Sequence, residues 1–133
     1  MLRAVMAVAA GLIVWIAVAT IANLFVRLSW PGYAEVELAM AFTLPMLLLR
    51  LFIGALSSAC AGLATALIAK FSRRAVSVFA GLLLMLFIPV HYSLWARFPV
   101  WYHLVFLTSL VFVPFFGILC RPHFGRMQIK PAA

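Results

Sequence analysis

Acidic residues are almost missing from this chain: Glu35 and Glu37 are its only two carboxylate side chains among 133 residues. Both fall in one short segment. Paired-carboxylate catalysis inside the apolar part of the chain is therefore excluded. Proton-coupled transport of the kind that relies on buried Asp or Glu is also disfavoured. Charge of either sign is scarce, at 9% of residues, where a soluble domain carries about 25%. No water-facing globular surface can be covered with so few charges. Cysteine is limited to Cys60 and Cys120, too few for a disulfide scaffold. HExxH, GxSxG and phosphate-binding glycine loops are absent, and no enzyme is expected. No internal repeat, low-complexity linker or lipidation motif is present.

Apolar residues make up 68% of the chain, against roughly 45–50% in soluble proteins. Lipid is the solvent that suits such a composition. The ten basic residues give a net charge of +8, but they punctuate apolar runs instead of forming a stripe. That placement fits topology signals and contact with anionic headgroups. No water-exposed basic face for nucleic acid can form.

The runs between the charges divide the chain into a single membrane domain, an all-α four-helix bundle. Residues 4–26 lie between Arg3 and Arg27 without a charge; this run is too long to be only a signal peptide, whose apolar core has roughly 7–15 residues. Residues 38–69 are too many for one straight span, so the second is expected over about 47–69, starting near Pro45 and Arg50. Residues 51–69 alone reach about 28 Å at 1.5 Å per residue, close to the hydrocarbon thickness of about 30 Å. The segment 35–44 is then left at the interface as a short helix or turn. The third and fourth spans are expected at 75–96 and 98–120, joined through little more than Arg97, Phe98 and Pro99 as a tight antiparallel hairpin. Pro89 and Pro114 fall inside these spans as candidate kinks. Residues 121–133 are read as an irregular cytoplasmic tail.

Arg3, Lys70, Arg73, Arg74, Arg121, Arg126 and Lys130 fall on one side of this layout, and Arg27, Arg50 and Arg97 on the other. The richer side is expected to be cytoplasmic, giving N-in and C-in topology in a bacterial-type inner membrane. Trp30, Tyr33, Tyr92, Trp95, Trp101 and Tyr102 form the expected aromatic belt at the outer boundary.

A few residues stand out within this frame. Gly54, Ser58, Gly62 and Ala66 recur every four residues in the second span, and such small residues let helices approach closely in lipid. Their expected place is the centre of the bundle, with a homo-oligomer interface as the alternative. His91 and His103 are each six positions from Arg97, so a hairpin brings them to one depth. Ordinary hydrogen bonding near the interface is expected of them, with haem or metal ligation and proton handling as the alternatives. His123 lies in the tail and cannot join them. Arg50 is the one formal charge inside a long apolar stretch; an outer-interface anchor paired with Glu35 or Glu37 is expected. Trp15 needs a partner for its indole N–H, while Thr20 and Asn23 read as polar contacts between helices. Cys60 and Cys120 lie at different depths and are not expected to pair.

Three functions are consistent with this pattern. The first is a small non-catalytic membrane protein with a structural, accessory or partner-binding role, requiring no cofactor. Its partners would be the lipid bilayer and a second copy or another membrane protein, not nucleic acid. The second is an oligomeric transporter or channel subunit. The third is a haem- or metal-binding redox protein built on His91 and His103.

Overall fold

A computed structural model describes residues 1–120. The expected tail, with Arg121, His123, Arg126 and Lys130, lies outside the described residues. The described chain is an all-α four-helix bundle of membrane-spanning type. Its elements are α1 (Leu2–Ser29), α2 (Tyr33–Ala39), α3 (Leu44–Ile68), α4 (Arg73–Ser93) and α5 (Val100–Phe112), then a 3₁₀ turn (Val113–Phe115) and α6 (Phe116–Leu119). Four helical stretches, Leu2–Ser29, Leu44–Ile68, Arg73–Ser93 and Val100–Leu119, are long and apolar enough to cross a bilayer.

Local chemistry sets the boundaries. Thr43 precedes α3, and Pro45 occupies its first turn, where a missing N–H breaks no helical bond. The second span therefore starts at Leu44, slightly before the expected 47. Before it, Gly32 (φ 79°) supplies the left-handed residue that lets the chain turn from α1 into α2. Ser72 opens α4, its Oγ accepting from the Ala75 N–H at 3.5 Å. The third span ends at Ser93, not at residue 96 as expected. Residues 94–97 form turns instead, with Leu94, Trp95 and Arg97 amides returning to Val90, Tyr92 and Leu94 carbonyls. The hairpin between α4 and α5 is consequently longer than the three-residue link expected. Pro114 does not simply bend the fourth span. Having no N–H for the carbonyl four residues back, it converts Val113–Phe115 to a 3₁₀ turn between α5 and α6. Pro89 is accommodated within α4.

The core sits around α3, which packs against α1, α4, α5 and α6. Its most apolar window is 44% buried, compared with 17% for that of α1. Helix α1 is thus the peripheral member of the bundle. Val8, Ala61, Phe79, Leu83, Phe106 and Leu110 form the main cluster. A second cluster, Val26, Tyr33, Met46 and Ile53, lies where α2 meets α1 and α3.

The small-residue row lies inside the chain's own bundle. A Cβ on Gly54 would come within 2.7 Å of the Phe106 ring, and one on Gly62 would collide with the Pro114 backbone. Gly117 faces Gly62 in return: a Cβ there would meet the Gly62 carbonyl at 2.6 Å. Ser58 and Ala66 are fully buried. The row is therefore covered by α1, α5 and α6 and offers no free face to a second copy.

Candidate functional site: the polar end of the bundle

Polar side chains concentrate at the end that carries α2. Arg27, near the end of α1, donates from Nε to Glu37 Oε2 at 2.6 Å. Arg50, in the second turn of α3, donates from Nη1 to Glu37 Oε1 and to the Tyr33 hydroxyl, each at 3.4 Å. The Arg50 guanidinium also lies 4.6 Å from the centre of the Phe42 ring, a cation–π distance. The hydrogen bond from Arg27 holds the Glu37 carboxyl below the usual carboxylate range.

Arg50 thus meets Glu37, one of the two acids expected beside it, near the start of α3. Its side chain is 28% exposed, and its Nε is buried without an acceptor among the described residues. The tight partner of Glu37 is Arg27, a residue that read only as a flanking charge. Tyr33, expected near the outer membrane boundary, lies at the α2 end and is fully buried. Its ring packs beside Phe42 and its hydroxyl faces Arg50.

His91 and His103 meet across the α4–α5 hairpin, Nδ1 to Nδ1 at 2.7 Å. Both rings are buried, bond to each other and keep Tyr102 and Trp95 beside them. His103 stacks on Trp95 at 4.8 Å, and His91 stacks on Phe106 at 4.6 Å. The contact requires one Nδ1–H and one Nδ1 lone pair, so two imidazolium rings cannot share it. His103 Nε2 has no partner among the described residues. A stranded lone pair is less costly than a stranded N–H, so His103 Nδ1 is the better donor and His91 Nδ1 the better acceptor. The separation is that of a hydrogen bond. Among the described residues no group of three or more His, Cys, Asp or Glu side chains converges on one point.

The remaining polar groups bind the bundle to itself. Trp15 Nε1 donates to Ser58 Oγ at 3.1 Å, a pairing that joins two residues read separately in the sequence. Ser57, Ser58 and Thr65 donate to carbonyls one turn back on α3. Asn23 donates to the Ala19 carbonyl of its own helix at 2.8 Å and not to a neighbouring helix as expected. At the opposite end, Arg3 Nε donates to the Ile68 carbonyl at 2.9 Å, placing a cation on the negative end of α3. Cys60 and Cys120 are both free thiols.

Two concavities flank the α1–α3 contact. One is an apolar groove of about 780 Å³ lined by residues such as Val18, Phe25, Trp30, Phe52 and Leu56; hydrocarbon chains satisfy such a surface. The other is smaller, about 110 Å³, and combines Arg50, Asn23 and Tyr102 with Trp15, Phe87 and Phe106. No protein-family model, curated protein or solved structure matches this chain.

Proposed function

We propose that this chain is a non-catalytic polytopic membrane protein with a structural or accessory role, presenting the lipid-facing side of α1 to another membrane protein. The observation that supports this reading is the use of its polar groups. Within the spans, Trp15, Ser57, Ser58, Thr65, His91 and His103 bond inside the bundle. Residues that line a conduction path would instead leave such groups facing a shared aqueous lumen. Helix α1 has the least buried window of the four and so keeps the most surface for a neighbour.

On the same reading, the start of α1 and the end of α6 lie on the cytoplasmic side of a bacterial-type inner membrane. Arg3, Lys70, Arg73 and Arg74 supply the basic excess on that side. Photoreactive residues at Ile13 and Ile21, both exposed on α1, should give a discrete cross-linked species in cells. Control positions on the exposed part of α4, such as Met85, should give only diffuse lipid adducts. Proteoliposomes containing the pure chain should show no ion or solute flux above empty vesicles. Saturable flux would overturn the accessory reading. Single cysteines at positions 74 and 97, in a background lacking Cys60 and Cys120, should label from opposite sides; labelling of both from outside would overturn the orientation.

A further inference from the structure

Arg50 carries more positive charge than its surroundings neutralise. Two guanidinium groups, Arg27 and Arg50, face one carboxylate, Glu37. Arg27 takes the short contact at 2.6 Å, whereas Arg50 is left at 3.4 Å from both Glu37 and Tyr33. Charge-assisted N–H···O bonds ordinarily close to about 2.7–2.9 Å. Glu35, the other acid, is exposed and forms no ion pair among the described residues. Arg50 Nε is in addition a buried donor without an acceptor there, an arrangement that is costly unless something completes it.

The cavity of about 110 Å³ lies beside this side chain. Its polar lining is Arg50, Asn23 and Tyr102; its remaining wall includes Trp15, Phe87 and Phe106. Asn23 uses one amide N–H on the Ala19 carbonyl, which leaves its second N–H to give. The Tyr102 hydroxyl can donate as well. Aromatic walls lower the local dielectric and strengthen any ionic hydrogen bond made inside. The cavity's volume of about 110 Å³ is that of a few waters at about 30 Å³ each, enough for a single carboxylate or phosphate group.

We propose that this cleft binds one oxyanion group, a carboxylate or phosphate, held by Arg50 with Asn23 and Tyr102 as further donors. The group is supplied either by a free anion or by the headgroup of an acidic lipid entering from the bilayer. The site does not depend on an accessory role of the chain, and its test reads binding alone.

The full chain in dodecyl maltoside is titrated with inorganic phosphate, and separately with phosphatidylglycerol or phosphatidylcholine. Fluorescence of Trp15, with Trp30, Trp95 and Trp101 replaced by Phe, reports occupancy of the cavity, and native mass spectrometry reports stoichiometry. Saturable binding of phosphate alone supports a free-anion site. One-to-one binding of phosphatidylglycerol in preference to phosphatidylcholine supports a headgroup site. In either case Arg50→Lys, which keeps the charge but loses the planar fork, should weaken binding by about tenfold. Asn23→Ala and Tyr102→Phe should weaken it several-fold while leaving the chain folded, as a cooperative thermal transition checks. If Arg50→Lys does not fold, the Asn23 and Tyr102 variants decide. Equal binding of the two lipids without phosphate binding, or affinity unaltered in the folded variants, overturns the site.

Discussion

The end of the bundle that carries α2 joins its helices through long side chains: Arg27 and Arg50 on Glu37, and His91 on His103. The opposite end joins α3 to α6 and the 3₁₀ turn through Gly62 and Gly117, where backbone approaches backbone. The two solutions differ in what they tolerate. Side chains can rotate away from a disturbed contact, and several of those at the α2 end are partly exposed. Two backbones in contact have no such freedom, because any added atom must separate the helices themselves. In lipid, where apolar surface alone does not drive helices together, such close packing supplies much of the association.

Gly62→Leu should therefore have the largest effect of any single substitution considered. Overpacking a core costs about 1–3 kcal/mol, occasionally more, and here the obstructing atoms belong to the Pro114 backbone. Gly81 provides the control, since a Cβ there meets nothing within 4 Å. Thermal unfolding in detergent should show a large loss for Gly62→Leu and almost none for Gly81→Leu. Equal losses would mean that the glycine crossing is not what holds this end.

The histidine pair should come next. Replacing His103 by Leu strands the Nδ1 of buried His91, and an unsatisfied buried group costs about 1–3 kcal/mol. His91→Leu should behave similarly. The double variant should lose less than the sum of the two, because neither partner is then left behind. Additive losses would show that the 2.7 Å contact contributes nothing as a bond, and that the rings matter only as volume.

A smaller effect is expected at the middle of the bundle. Ser58→Ala removes the acceptor of the Trp15 indole. Hydrogen bonds between helices in lipid average about 0.6 kcal/mol, so the loss should be modest. Trp15 fluorescence should shift as its N–H changes partner; an unchanged spectrum would contradict the bond.

Much of this comparison was legible in the sequence, but unevenly. The four spans follow from uncharged runs between Arg3, Arg27, Arg50, Lys70, Arg74 and Arg97, since a charged side chain is among the costliest groups to bury in lipid. Symmetry about Arg97 brought His91 and His103 to one depth, and four-residue spacing singled out Gly54, Ser58, Gly62 and Ala66. Gly117 was not legible, because one glycine among apolar neighbours has no period to mark it. Nor was Tyr33, whose type suits an interfacial belt as well as a buried hydroxyl. The Arg27–Glu37 pairing depended on how α2 folds back beside α1, a matter of turn geometry at Gly32 and not of spacing. The end of α4 at Ser93 likewise follows from turns in residues 94–97 that composition does not reveal.

The weakest link expected at the α2 end is Glu37 itself. Its short contact is with Arg27, whose side chain is about half exposed, and such ion pairs contribute little once water screens them; its contact with Arg50 is long, at 3.4 Å. Glu37→Gln should lower the melting midpoint only slightly, far less than Gly62→Leu, and added salt should shrink even that difference. The pH dependence has a definite sign. The hydrogen bond from Arg27 lowers the Glu37 pKa in the folded chain. Its stabilisation is therefore fully present above the usual carboxylate pKa, and it is lost as pH falls through the lowered value. Wild-type and Glu37→Gln midpoints should consequently be separated at neutral pH and converge in acid below the ordinary carboxylate range. The quantity to follow is the difference between the two proteins, which have every other side chain in common. A difference that stays constant into strong acid would show that Glu37 contributes through packing against α1 and α3, and that the ion pair with Arg27 is incidental to the way this end is held.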